Sequence, residues 1–147
     1  PYIDGLKLLG QRELSEAQVR QRLARREHDE AAIDEAIARL KQERALDDAR
    51  VAGAIARTQT LVRKRGKLRA RQEIERAGIS RALAQQAVDD VFSEVDPDEL
   101  LHAALGKRLR GEARIADDAE FRRLYRYLMG QGFESDRIVK VLKSRRR

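Results

Sequence analysis

Apolar residues recur along this chain in a pattern that repeats three times in register. Leu23, Ile74 and Leu128 are 51 and 54 residues apart, and each follows another apolar residue by four positions. Ten and fourteen positions after each of them comes a second apolar pair, which in the first copy is Ile33 and Ile37. A spacing of four places side chains on one face of an α-helix. Each copy therefore predicts a helix, a tight turn and a second helix.

The complete pattern predicts nine helices in three sets of three, and hence an all-α fold. Their expected ranges are 2–12, 15–26, 29–44, 47–64, 67–77, 80–95, 97–110, 117–130 and 135–144. No segment alternates between apolar and polar residues for long enough to predict a strand. A unit of three short helices cannot bury its own apolar face, so neighbouring units stack. We expect an elongated, curved modular array of three tandem three-helix repeats, 1–46, 47–95 and 96–147, the last with a basic C-terminal tail.

Capping residues support these helix boundaries. Side chains that can accept hydrogen bonds from the free amides of a helix N-terminus precede most of the segments. They are Ser15, Asp29, Asp47, Ser80, Asp96, Asp117 and Ser135. Gly78 and Gly132, four positions after Ile74 and Leu128, suit a left-handed residue that ends the preceding helix. The first copy has Glu27 at the corresponding position.

Composition excludes several classes of protein. Charged residues make up 39% of the chain and aromatic residues only 4%, so we expect a thin core and a large solvated surface. The absence of cysteine leaves no disulfide framework and no thiolate metal site, and it fits a reducing compartment. No apolar run approaches the roughly 18 residues of a membrane span, and no signal peptide is apparent. We expect a cytoplasmic monomer without a membrane contact.

The net charge of +7 favours a polyanionic partner, and the charge is arranged in blocks. Residues 57–82 carry nine bases and two acids, residues 83–99 carry six acids and no base, and residues 100–147 carry thirteen bases and six acids. A uniformly solvated surface would mix the two signs. The blocks predict one face for phosphates and another for a protein.

Six of the nine residues from 63 to 71 are basic. The dipole of a helix C-terminus favours a few cations, so a solvated helix end explains part of this charge. The excess predicts contacts with phosphates. The candidate residues are Arg57, Arg63, Lys64, Arg65, Lys67, Arg69 and Arg71. The three tyrosines are too scattered to form a base-stacking platform, so we expect contacts with the nucleic-acid backbone, on single or double strands.

Three acids have an unfavourable predicted position. Asp89, Asp90 and Glu94 fall late in the predicted helix 80–95, where negative charge opposes the helix dipole. Because this placement costs some folding free energy, we predict that these acids have a functional reason. They would repel DNA from that face or meet basic groups of a protein partner.

Catalytic and metal-binding motifs are absent from the sequence. His28 takes the position that Ile79 and Phe133 hold in the other copies, which indicates a half-buried residue of the turn rather than a catalytic base. The adjacent acids Asp47 and Asp48 precede a predicted helix, where they suit capping better than metal binding. No glycine-rich phosphate loop is present. We expect no enzyme, no cofactor and no metal.

Four segments in this order make the chain resemble the RecX family, the bacterial regulators of the RecA recombinase. They are LSEAQVRQRL at 14–23, ALDDARVA at 45–52, KRGKLRARQEIERAGIS at 64–80 and YLMGQGFES at 127–135. The chain departs from the family pattern at Val51, where an aromatic residue is usual. It also departs at Lys64 and Lys67, where a glycine and a proline are common.

The resemblance implies a three-repeat helical protein that binds the RecA–DNA filament. Such proteins suppress strand exchange, ATP hydrolysis and coprotease activity, and so modulate recombination and DNA repair in the SOS response. The residues alone leave open a second function, a stand-alone architectural protein that binds nucleic acid without sequence preference. The acidic block 83–99 favours the first function, because a protein that only binds DNA has little use for it.

Overall fold

The computed structural model describes residues 1–109 and 114–146, and within these ranges the chain forms nine α-helices. They are α1 Tyr2–Gln11, α2 Glu16–Arg25, α3 Glu30–Gln42, α4 Asp48–Arg57, α5 Lys67–Arg76, α6 Arg81–Phe92, α7 Pro97–Gly106, α8 Asp118–Gly130 and α9 Ser135–Ser144. A π-helical turn, Thr58–Val62, continues α4. The described residues contain one isolated parallel bridge, Ile115 with Arg146, and no strand. The predicted all-α class is confirmed.

The predicted repeat register is also confirmed. Leu23, Ile74 and Leu128 are fully buried. The second apolar residue after the turn is buried in every copy as well. These residues are Ile37, Val88 and Leu142. Three copies of one helical pattern therefore direct equivalent side chains into equivalent interiors.

Each set of three helices has its own apolar cluster. The first runs from Leu8 to Leu46, the second from Val51 to Val88 and the third from Leu100 to Leu142. Phe92, at the end of α6, packs against both the second and the third cluster. We call the three sets repeat 1, repeat 2 and repeat 3.

Side-chain caps fix most helix starts as predicted. Ser15 and Gln18 form a reciprocal capping box at α2, in which the Ser15 hydroxyl accepts from the Gln18 amide at 3.1 Å. The side chains that cap α3, α4, α6, α7 and α8 are those of Asp29, Asp47, Ser80, Asp96 and Asp117. The predicted cap at Ser135 is wrong, because α9 already begins there and Glu134 takes the capping position without a side-chain bond. The Ser135 hydroxyl instead bonds with the Tyr125 hydroxyl at 2.7 Å.

The turn of every repeat contains a residue with left-handed backbone. Its φ angle is 64° at Glu27, 83° at Gly78 and 93° at Gly132. Glycine adopts this conformation without steric cost, whereas a side chain with a Cβ does not. The predicted left-handed glycines are confirmed, and repeat 1 adopts the same turn with a residue that is strained in it.

Hydrogen bonds at equivalent positions join repeat 1 to repeat 2 and repeat 2 to repeat 3. The Ser15 hydroxyl, before α2, donates to the Ala77 carbonyl. The Gly66 amide, before α5, donates to the Gln131 carbonyl at 2.8 Å. Ser15 and Gly66 are 51 residues apart, and Ala77 and Gln131 are 54 apart, which are the spacings of the repeat. The start of the second helix in one repeat thus docks on the turn of the next.

Candidate nucleic-acid interface

The predicted helix 47–64 is interrupted by the π-helical turn. The α-helical part ends at Arg57, and the wider turn places Gln59 and Thr60 in the interior while Leu61 and Val62 face solvent. The following residues close the helix, and Lys64 has a left-handed φ angle of 56°. Single π-helical turns within α-helices are frequent at functional sites. This one leads directly into the basic segment.

The basic candidates differ in exposure. Arg57 and Arg63 are exposed. The other five, which are half-buried, are Lys64, Arg65, Lys67, Arg69 and Arg71. A solvated helix end would leave its cations exposed. Most of these cations instead lie against other parts of the chain.

Arg65 reaches back to the π-helical turn. Its Nη1 atom donates to Gln59 Oε1 at 2.7 Å, while its Nε atom is buried without a hydrogen-bond partner among the described residues. Burial lowers the pKa of the Arg65 guanidinium, and the positive charges of Arg69 and Arg63 lower it further. Arg65 is therefore a partly desolvated cation beside two others of the same sign.

Arg69 and Lys67 contact neighbouring structure as well. Arg69 Nε pairs with Glu73 at 3.0 Å, and Arg69 Nη1 donates to the Gly130 carbonyl of repeat 3 at 2.9 Å. The Lys67 ammonium lies 5.3 Å from the centre of the Phe92 ring. Arg69 thus also stabilises the joint between repeats 2 and 3, and Lys67 contacts the Phe92 side chain of repeat 2 beside that joint. The sequence could not reveal this, because both contacts link distant parts of the chain.

Buried polar atoms without a partner are concentrated in this segment. In the described residues they are three side-chain atoms: Thr60 Oγ1, Arg65 Nε and Arg71 Nε. Buried polar groups are nearly always hydrogen-bonded in folded proteins, so such atoms require an explanation. Their grouping between residues 60 and 71 indicates that this segment has a role besides stabilising the fold.

The three predicted acidic residues are all exposed. Asp89 and Asp90 accept hydrogen bonds from Gln85 and Gln86, one turn earlier in α6, at 3.0 and 2.9 Å. The prediction that Glu94 lies within this helix is wrong, since α6 ends at Phe92. The Ser93 hydroxyl there donates to the Asp90 carbonyl at 2.7 Å. Glu94 is exposed just beyond the helix end.

Two of the acids, Asp90 and Glu94, border an apolar cleft of about 310 Å³. Its lining residues are Arg57, Leu61, Asp90, Val91, Glu94 and Val95. Arg57, predicted to face phosphates, thus shares a surface with two of the acids predicted to face a protein. The two predicted faces meet at this cleft.

His28 is half-buried at the turn of repeat 1, as predicted. Its Nε2 atom lies 2.7 Å from Asp4 Oδ2, and Arg26 lies 3.2 Å from the other oxygen of Asp4. The hydrogen bond with His28 lowers the pKa of the Asp4 carboxyl group, and the charge of Arg26 adds to this effect. This arrangement attaches α1 to the turn between α2 and α3.

In residues 1–109 and 114–146, no group of three or more histidine or acidic side chains is placed to hold a metal ion. None of the helices in those ranges has the length and apolar character needed to cross a membrane.

Comparison with known proteins supports the family resemblance. Residues 2–40 match the sequence model of the first three-helix domain of RecX, and residues 94–142 match that of the third. The regulatory protein RecX of Acidithiobacillus ferrooxidans is 32% identical over 144 residues, which cover 97% of this chain and 88% of that protein. The regulatory protein RecX of Halorhodospira halophila is 31% identical over 134 residues, 90% of this chain and 80% of that protein.

Solved structures agree with the fold. The crystal structure of RecX from Lactobacillus salivarius superposes with a TM-score of 0.79 at 18% identity, covering 97% of this chain and 92% of that one. A second crystal structure, of a regulatory protein RecX, gives a TM-score of 0.75 at 21% identity and covers 97% of this chain and 70% of that one. On the sequence relatives and the domain matches together, the chain belongs to the RecX family of regulatory proteins.

Proposed function

We propose that this protein binds the filament that the RecA recombinase forms on DNA and inhibits its strand exchange, ATP hydrolysis and coprotease activities. It acts without catalysis and so modulates recombination and DNA repair. The observation that carries this proposal is the similarity to proteins named regulatory protein RecX over 90% or more of the chain. The match includes all three repeats, so the chain has the parts with which such a regulator would work.

The shape of the protein suits an extended partner. Its accessible surface is 9079 Å², whereas a compact protein of 16.8 kDa exposes about 7,700 Å². The excess fits modules 1–46, 47–95 and 96–147 that stack in a row around three separate cores. Such an array offers a long surface, which favours binding along a filament.

The charged surfaces suit the two components of such a filament. In this proposal the basic segment from Arg57 to Arg71 lies along DNA phosphates. The acids Asp89, Asp90 and Glu94, of which Asp90 and Glu94 border the apolar cleft, contact basic and apolar groups of the recombinase. A cleft with an apolar floor and charged borders combines burial with electrostatic selection of the partner.

A stand-alone nucleic-acid-binding protein is the second candidate, and the net charge of +7 favours it. The two functions differ in how much protein is needed. RecA ATPase on single-stranded DNA is measured while this protein is titrated at fixed DNA. Filament binding predicts inhibition far below one protein per nucleotide. Inhibition that appears only when the DNA is coated would contradict the proposal and favour the second function.

A further inference from the structure

Cations from two repeats converge at the joint between repeats 2 and 3. Repeat 2 contributes Arg63, Arg65 and Arg69, and repeat 3 contributes Lys107 and Arg108, which follow α7. Lys107 Nζ donates to the Arg63 carbonyl at 3.2 Å. We call these five residues the joint cations.

The end of α8 lies beside both groups of cations. The Arg108 guanidinium lies over the Tyr127 ring, 4.2 Å from its centre. Gly66, the residue after Arg65, donates to the carbonyl of Gln131, which lies one helical turn after Tyr127. Arg65 and Arg108, which are 43 residues apart in the sequence, are therefore both placed at this joint.

The joint cations are poorly neutralised by the chain itself. Within the described residues, only Arg69 among them forms an ion pair, with Glu73, and Glu73 also pairs with Arg76. Like charges at short range repel, most strongly where burial removes the screening by water. Arg65, half-buried and with its Nε atom lacking a partner, has donor capacity that the fold leaves unused.

We propose that the joint cations form one composite site for the backbone phosphates of a nucleic-acid strand that crosses from repeat 2 to repeat 3. A guanidinium donates paired hydrogen bonds that match the geometry of phosphate, and a phosphate would offset the mutual repulsion of the cations. The choice of nucleic acid as the source of the phosphates rests on the function proposed above.

The geometry defines two properties of this site. It exists only while the repeats are docked, because Arg65 and Arg108 belong to different repeats. Docking itself depends on the close approach of Gly66 to Gly132, where a Cβ on Gly66 would collide with the Gly132 carbonyl. Binding is also independent of base sequence, since Arg108 covers a face of the Tyr127 ring that a base would otherwise stack on.

The test measures the affinity of the full chain for a fluorescently labelled oligothymidylate. The variants are Arg65→Gln, Arg108→Gln, their combination, and Arg108→Lys. The control is Arg122→Gln with Arg123→Gln, two exposed arginines of α8 that form no ion pair within the described residues. The control pair and the Arg65–Arg108 double variant remove the same charge.

We expect each single glutamine variant to weaken binding about tenfold, the order expected for one charged hydrogen-bonded contact. The double variant should lose less than the product of the two single losses, because both side chains act on one stretch of backbone. Arg108→Lys should weaken binding at constant net charge and without a risk to the fold, since Arg108 is exposed. The composite site would be overturned if the loss of affinity in the double variant equals both the product of the two single losses and the loss in the control pair. Full affinity in Arg108→Lys would overturn it as well.

The outcome separates this inference from the proposed function. RecA inhibition is measured with the same samples. If the variants show the expected coupling in DNA binding but the wild-type protein leaves RecA unaffected, the function is refuted and the site is upheld. A protein that inhibits RecA but shows no coupling between Arg65 and Arg108 would refute the site alone.

Discussion

Glu27 should be a position at which the natural residue destabilises the protein. It lies where repeats 2 and 3 have Gly78 and Gly132, and it has a left-handed φ angle of 64°. Its side chain is exposed and forms no ion pair among the described residues. Glu27→Gly therefore removes strain from the turn of repeat 1 without removing a contact.

The size of the effect follows from two opposing quantities. Left-handed backbone costs a residue with a Cβ roughly 1–2 kcal/mol. Glycine loses more conformational entropy on folding, which offsets about 0.5–1 kcal/mol of the gain. Glu27→Gly should therefore raise the free energy of unfolding by about 0.5–1 kcal/mol. For a chain of this length that corresponds to an increase in Tm of about 1–4 °C.

Urea denaturation followed by circular dichroism measures this change. The matched control is Glu35→Gly, an exposed position in the middle of α3 with ordinary helical backbone. That variant should lose about 0.5–1 kcal/mol, because glycine is a poor helix former. If Glu27→Gly is destabilised as much as Glu35→Gly, the left-handed backbone at Glu27 is not strained. The turn of repeat 1 would then adopt its conformation without a cost in free energy, contrary to the prediction.

Three further predictions concern the packing and the surfaces. Leu128→Ala should lower the free energy of unfolding by about 2–5 kcal/mol, as expected for a truncated core residue; a loss below about 1 kcal/mol in urea denaturation would contradict its anchor role. Gly78→Ala should destabilise the protein, because Gly78 has a φ angle of 83° and an added Cβ would lie only 2.5 Å from the Cβ of Ala17 in repeat 1. Gly106→Ala should not, because the space around Gly106 is free. Reversal to lysine of Asp89, Asp90 and Glu94 should raise affinity for free DNA while weakening RecA inhibition; a parallel increase in both assays would favour the stand-alone nucleic-acid binder.

The helices and their register could be predicted from the sequence because both depend on local periodicity. Apolar side chains four residues apart define a helix face, and Gly78 and Gly132 mark the turns without reference to the rest of the fold. The caps at Asp29 and Ser80 are local for the same reason. The role of Ser135 is not local in this sense, because its hydroxyl bonds with the Tyr125 hydroxyl on another helix.

The site was less predictable, because its geometry depends on contacts between distant residues. The π-helical turn has no periodic signature of its own, so the sequence predicts a single α-helix over residues 47–64. Lys107 and Arg108 did not appear among the candidates, since only the docking of repeat 3 brings them to Arg63 and Tyr127. The basic character of residues 100–147 was the one available signal, and it does not identify individual residues. The half-buried state of Arg65 depends in the same way on tertiary packing.

The repeated contact at the two joints has a mechanical consequence. Ser15 with Ala77 and Gly66 with Gln131 join equivalent positions of successive modules, so each joint sets the relative placement of the two modules on either side of it. A small rotation at one joint moves the rest of the array by an amount that grows with the distance from that joint. A Cβ added at Gly66 would lie 2.4 Å from the Gly132 carbonyl oxygen, so repeat 2 and repeat 3 would have to shift apart. The orientation of repeat 3 against an extended partner is therefore sensitive to a single backbone contact.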